Sequence, residues 1–169
     1  IHDTVSTRHS GEPQSSGINL QLPTCGLSWD EYFAQLSAPG GDTIDRPLQW
    51  TIAGGPEYQH SASTILSHWN TLGLDPVLVS ALDQNTTNAV CNAGFNAVYW
   101  KAEAKSYSRV ADAKFAVAAD LSNRGFRGFF LEMDVFCRKN PVPYFMERYG
   151  QEDLVNVGHG DVGYFVNIG

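Results

Sequence analysis

Between residues 48 and 135, short apolar runs of strand type alternate with stretches of helical periodicity, and that alternation leaves few architectures open. Leu48 to Ala53 reads as a strand stopped by Gly54-Gly55-Pro56. Ser61 to Leu72 reads as a helix, since Ile65, Leu66, Trp69 and Leu72 recur at helical spacing and Gly73 supplies a stop. Pro76 to Leu82 is a second strand with a buried-type centre at Val77-Leu78-Val79. Asp83 to Ala93 is a second helix, capped by Asp83 and ended by Gly94, and Ala97 to Trp100 is a short strand. Arg109 to Asn123 is a third helix that turns Val110, Ala113, Val117, Ala118 and Leu121 to the core and stops at Gly125. Arg127 to Val135 closes the series as a strand. Strands separated by helices of this length pair in parallel through crossovers. The expectation is an α/β fold with a mostly parallel sheet flanked by helices.

Residues 48–169 would form that domain, and residues 1–47 an N-terminal arm or stem. Residues 1–24 are rich in Ser, Gly, Pro, Thr and Gln, and Ala38-Pro39-Gly40-Gly41-Asp42 reads as a linker. Between them, 25–38 holds a short helix with Ser28 as N-cap and Glu31 as its capping-box partner. A hydrophobic fraction of 43% with 17% charged residues supports a packed core. The net charge of −7 argues against duplex nucleic acid as a partner. It leaves room for a phosphate ligand held by a local cation or a metal. No stretch approaches the roughly 20 apolar residues of a membrane span. The start at Ile1-His2-Asp3 has neither Met nor a signal-peptide pattern, so a processed or truncated end is expected there. Cys25, Cys91 and Cys137 lack metal-site spacing, and their odd number leaves at least one thiol unpaired or paired outside the chain. Asn85-Thr86-Thr87 is a sequon that permits glycosylation in a secretory protein.

The chemistry concentrates in Gly128-Phe129-Phe130-Leu131-Glu132-Met133-Asp134-Val135-Phe136, an apolar run leading into two acids at i, i+2. If the strand continues through them, Glu132 and Asp134 share a face at its C-terminal end. Open α/β sheets bind ligands there, and paired hard oxygen donors suit Mg²⁺ or Mn²⁺ carrying a phosphate. The competing reading ends the strand at Met133 and leaves two solvated acids in the next turn. Gly54-Gly55-Pro56 is either a tight turn or a place where backbone approaches a nucleotide. Lys114, in the helix before the acids, is either a point charge for a diphosphate or part of a solvated face. His159-Gly160-Asp161 reads as a surface turn before an acid/base pair, and Cys137 as a small buried hydrophobe.

Phe130-Leu131-Glu132-Met133-Asp134-Val135-Phe136-Cys137-Arg138-Lys139-Asn140-Pro141 resembles the pattern of plant- and alga-type nucleotide-diphospho-sugar transferases, which include rhamnogalacturonan xylosyltransferases and extensin arabinosyltransferases. That pattern is an apolar strand, Asp-x-Asp, an apolar pair, an aromatic, a basic-polar stretch and Pro. Lys114 matches a recurrent Lys, while Asp153-Leu154-Val155 and Val166-Asn167-Ile168-Gly169 resemble a later strand and an Asn-x-Gly motif. The resemblance covers roughly residues 48–169.

It implies a GT-A glycosyltransferase fold, Rossmann-related, that takes a nucleotide-sugar donor and passes the sugar to a glycan or glycoprotein with retention of configuration. Mn²⁺ or Mg²⁺ would sit on Glu132 and Asp134, with Asp134 the direct ligand and Glu132 contacting the metal, its waters or the donor ribose. Ala53, Gly54 and Asp83 would hold the nucleoside and Lys114 the diphosphate. The setting implied is the Golgi lumen or extracellular space. Glu132 departs from the usual first Asp, and Cys137 stands where an aromatic is common. Enzymes of this type continue well beyond a point equivalent to Gly169, so the chain is expected to be the donor half of such a domain. Other protein chains would then complete or cover it. The alternative expectation is a non-catalytic, transferase-like subunit of a larger assembly. A metal-dependent phosphohydrolase is a weaker fit, because no second acid cluster is visible.

Overall fold

The computed structural model describes residues 25–36, 47–74, 76–100, 110–149, 154–159 and 162–167. Their elements run α1 (Trp29–Leu36), β1 (Leu48–Ala53), α2 (Pro56–Thr71), β2 (Leu78–Ala81), α3 (Gln84–Asn92), β3 (Ala97–Tyr99), α4 (Val110–Asn123), β4 (Gly128–Phe130), α5 (Val142–Tyr149), β5 (Leu154–His159) and β6 (Val162–Asn167). The first four strands form one sheet in the order β3-β2-β1-β4, and every pairing in it is parallel. β5 and β6 pair as an antiparallel hairpin. The α/β fold with a mostly parallel, helix-flanked sheet is therefore present. Residues 1–24, the 38–42 linker and the Gly160-Asp161 part of the proposed surface turn lie outside the described residues.

Helices cover both faces of the sheet, which is why β1 and β2 are almost wholly buried. On one face, Ala53, Val79, Ala97, Phe129 and Leu131 pack with Ala62, Leu66 and Trp69 of α2, Val90 of α3 and Val142 of α5. On the other, Trp50, Ile52, Leu78, Val98 and Phe130 pack with Ala113, Val117 and Leu121 of α4. Trp29, Tyr32, Phe33 and Leu36 of α1 belong to this second core, at about 1.5–3 kcal/mol per fully buried apolar side chain. This core thus draws on residues either side of position 48. The expected capping box opens α1: the Ser28 N–H donates to Glu31 Oε2 at 2.8 Å and the Glu31 N–H to Ser28 Oγ at 3.3 Å.

Ahead of α1 the chain passes the open edge of β3. Ser28 bridges Tyr99 in parallel, and Cys25 forms a disulfide with Cys91 of α3. This covers an otherwise free strand edge. Cys137 is the free thiol among the described residues; it is half-buried, and burial pushes its pKa up.

Two expected boundaries are corrected. α2 begins at Pro56, not Ser61. Pro at the first helical position has its φ already set and no N–H to lose, and Gly55 (φ 91°) supplies the left-handed residue before it. Glu57, Tyr58, Gln59 and His60 avoid full burial, so apolar periodicity marks only where the helix meets the core.

The second correction concerns β4, which ends at Phe130 and does not run through Val135. The Leu131 N–H still donates to Trp50 O at 2.9 Å, but the Leu131 carbonyl accepts from Thr51 Oγ1 at 2.6 Å. A side chain thus takes the acceptor that a further ladder bond would have used. The chain then turns, with the Val135 N–H donating to Glu132 O at 3.2 Å. Met133 enters the core at the apex, 5% exposed.

Candidate functional site

In the strand order β3-β2-β1-β4 the connections reverse direction between β1 and β4. Loops leaving those two strands at their C-terminal ends must diverge, and the crevice between them is the general ligand position of an open α/β sheet. Ala53, Gly54 and Gly55 leave β1 there, and Glu132, Met133 and Asp134 follow β4. Asp83 follows the neighbouring β2.

The glycine turn is fixed from inside the protein. A Cβ on Gly54 would lie 2.8 Å from the Leu82 Cβ, so this residue is small because the β2–α3 turn packs against it. Ala53 is wholly buried. Asp83 ties the two turns together. Its Oδ1 accepts from the Thr86 N–H at 2.7 Å, capping α3, while its Oδ2 accepts from Thr86 Oγ1 at 2.8 Å and from the Gly55 N–H at 2.9 Å. Burial opposes the ionised carboxylate. The hydrogen bonds from Gly55, Thr86 and Asn85 outweigh it and hold the Asp83 pKa below its ordinary value.

The two acids differ sharply. They do not share a strand face, because they belong to a turn. Glu132 Oε1 pairs with Lys114 Nζ of α4 at 2.5 Å, and the two side chains are 21% and 12% exposed. Lys114 Nζ also lies 5.1 Å from the Phe130 ring centroid, within cation–π range. Lys114 is thus close to the acidic turn, with its charge directed first at Glu132. Asp134 is exposed and makes no hydrogen bond among the described residues.

Tyr58, in the first turn of α2, faces the same crevice. Burial raises its pKa, and the negative charges of Asp134, Glu132 and Glu57 raise it further, so the phenol stays a hydrogen-bond donor. Sequence reasoning missed it because the helix was started too late; Pro directly after Gly-Gly was the signal that brings Tyr58 to the sheet's edge. His68 and Phe136 were missed as well. Their rings stack 4.5 Å apart, and His68 Nε2–H donates to Cys137 O at 2.9 Å. Together with Asn140 Nδ2–H donating to Gly73 O at 3.0 Å, these contacts strap the segment after the acids along α2. A cleft of about 210 Å³ lies beneath, lined by Thr64, Ile65, Trp69, Met133, Asp134 and Phe136 among others.

Among the described residues, no group of three or more His, Cys, Asp or Glu converges on one point. A pair of carboxylates is still an adequate donor set for Mg²⁺ or Mn²⁺, which take one or two carboxylates and complete their shell with phosphate and water. Asp134 is exposed to solvent, and Glu132 meets Lys114 through Oε1. No described helix is long and apolar enough to cross a membrane.

The family profile for nucleotide-diphospho-sugar transferases matches residues 72–161, just over half of the 169-residue chain. The matched stretch includes β2, α3, β3, α4, β4, the acidic turn and α5. Neither a curated protein nor a solved structure gives a match.

Proposed function

The chain belongs to the nucleotide-diphospho-sugar transferase family, and from that membership we propose a metal-dependent glycosyltransferase whose donor binds in the β1/β4 crevice. The carrying observation is the meeting of the glycine turn, the Asp83 tie, Tyr58 and the acidic turn at the reversal of strand order. The α/β architecture is consistent with a GT-A-like domain. The Phe130–Pro141 pattern supports placement among the plant- and alga-type members, with a glycan or glycoprotein as acceptor and retention of configuration.

In this reading Asp134 holds Mn²⁺ or Mg²⁺, with Glu132 contributing through its second oxygen. The metal supplies charge stabilisation for the departing nucleoside diphosphate. Lys114 fixes Glu132 and adds positive charge at the diphosphate end. Ala53, Gly54 and Asp83 shape the floor for the nucleoside, and Tyr58 donates a hydrogen bond beside the acids. The Cys25–Cys91 disulfide supports an oxidising compartment, hence the secretory pathway, Golgi lumen or extracellular space.

Titration calorimetry with Mn²⁺ and a panel of UDP- and GDP-sugars tests the proposal. Binding should need the metal and weaken by about tenfold or more in Asp134→Ala, a loss of roughly 1.4 kcal/mol. Absence of binding by every donor in the panel would sink it.

A further inference from the structure

We propose that Asn85 is an N-glycosylation site that can be filled only before α3 folds. The inference rests on the secretory location proposed above, and on how the fold treats the sequon. Asn85, Thr86 and Thr87 lie in the first turn of α3. Asn85 is exposed, and its side chain makes no hydrogen bond among the described residues. Thr86 and Thr87 are 0% and 5% exposed. The Thr87 hydroxyl donates to Asp83 O at 3.1 Å.

An enzyme that reads Asn-x-Thr must engage the amide and the hydroxyl two residues on. In an extended tripeptide both side chains project from one face. In a helical turn, residues i and i+2 do not face each other. Here the hydroxyl is also buried and already donated, so the folded protein is no substrate. The product is another matter, because the Asn85 amide stands at the surface and a glycan on it lies outside the packed face. Two devices close the window: the Asp83 cap, and the Cys25–Cys91 disulfide that ends on the same helix.

In the covalent step, Asn85 Nδ2 bonds to C1 of an oligosaccharide carried on a lipid diphosphate. The C1–O bond to phosphate breaks, the lipid diphosphate leaves with the electron pair, and one amide proton passes to a base of the transferring enzyme. No redox partner is needed.

The test offers the 169-residue chain to a purified oligosaccharyl transferase with a lipid-diphosphate oligosaccharide, first oxidised and folded, then reduced and unfolded. The unfolded chain should gain a glycan that a peptide N-glycosidase removes, and Asn85→Gln should gain none. Transfer to the folded chain should be slower by about tenfold or more, since opening of α3 gates it. Equal transfer to the folded chain overturns the timing, and no transfer to the unfolded chain overturns the site. A glycosylated chain that cannot re-form Cys25–Cys91 overturns the claim that the fold accepts the product. Fractionation of the native protein outside the secretory pathway would overturn the native use of the site while leaving the in vitro transfer results as they are, so the two failures are told apart.

Discussion

Lys114 and Glu132 show how one contact reassigns two side chains. Each was legible as a charged residue near the acidic turn, but the 2.5 Å pair between them was not, because they are 18 positions apart and meet only when α4 packs beside β4. A partly buried pair is costly to break from one side, since the remaining charge loses its partner but stays partly out of water. Lys114→Met should therefore destabilise the protein by about 1–3 kcal/mol in urea unfolding. Adding Glu132→Gln should recover part of that loss. A double-mutant cycle without coupling would show that the pair does not stabilise the turn. Asp134 differs because it is exposed and has no hydrogen-bond partner among the described residues, so Asp134→Ala should leave the unfolding midpoint nearly unchanged while weakening donor binding.

At the level of elements, local chemistry predicted helix ends well wherever a side chain makes the cap. Ser28 with Glu31 and Asp83 with Thr86 both hold in the fold, because their partners lie three residues away. The start of α2 was missed because its cap is a backbone conformation at Gly55 and not a side-chain acceptor. The end of β4 was missed because Thr51, 80 positions from Leu131, ends the ladder. Asp83→Ala should cost about 1–2 kcal/mol by uncapping α3 and releasing Gly55, with Asp83→Asn milder. The folded Asp83 pKa is depressed, so its stabilisation is present above the unfolded value of about 3.9. It is lost as pH falls through the lower folded value. Unfolding curves at neutral and acid pH should therefore converge between wild type and Asp83→Asn as the pH drops. Curves that stay equally separated at acid pH would contradict the role given to the charge.

Across the whole molecule, the Cys25–Cys91 disulfide joins residues 66 apart and draws the segment before α1 over the β3 edge. Chain entropy gives a closed loop of that length up to about 4 kcal/mol. Cys91→Ser should lower the denaturant midpoint under oxidising conditions and match the wild type under reducing ones. An unchanged oxidised midpoint would mean that the bridge leaves the unfolded state unconstrained. The sequence by itself determined the α/β class, the order of strands and helices as far as β4, the caps made by nearby side chains and the acid-bearing segment after β4. All of these follow from periodicity and short-range hydrogen bonding. α5 and the antiparallel β5–β6 hairpin were not read from it. Only the tertiary structure decided that the acids occupy a turn, that Glu132 is paired with Lys114 while Asp134 is exposed, that Asp83 bridges two turns and that Tyr58 lies beside them. Those outcomes depend on contacts between residues far apart in the chain, and such contacts leave no local pattern to read.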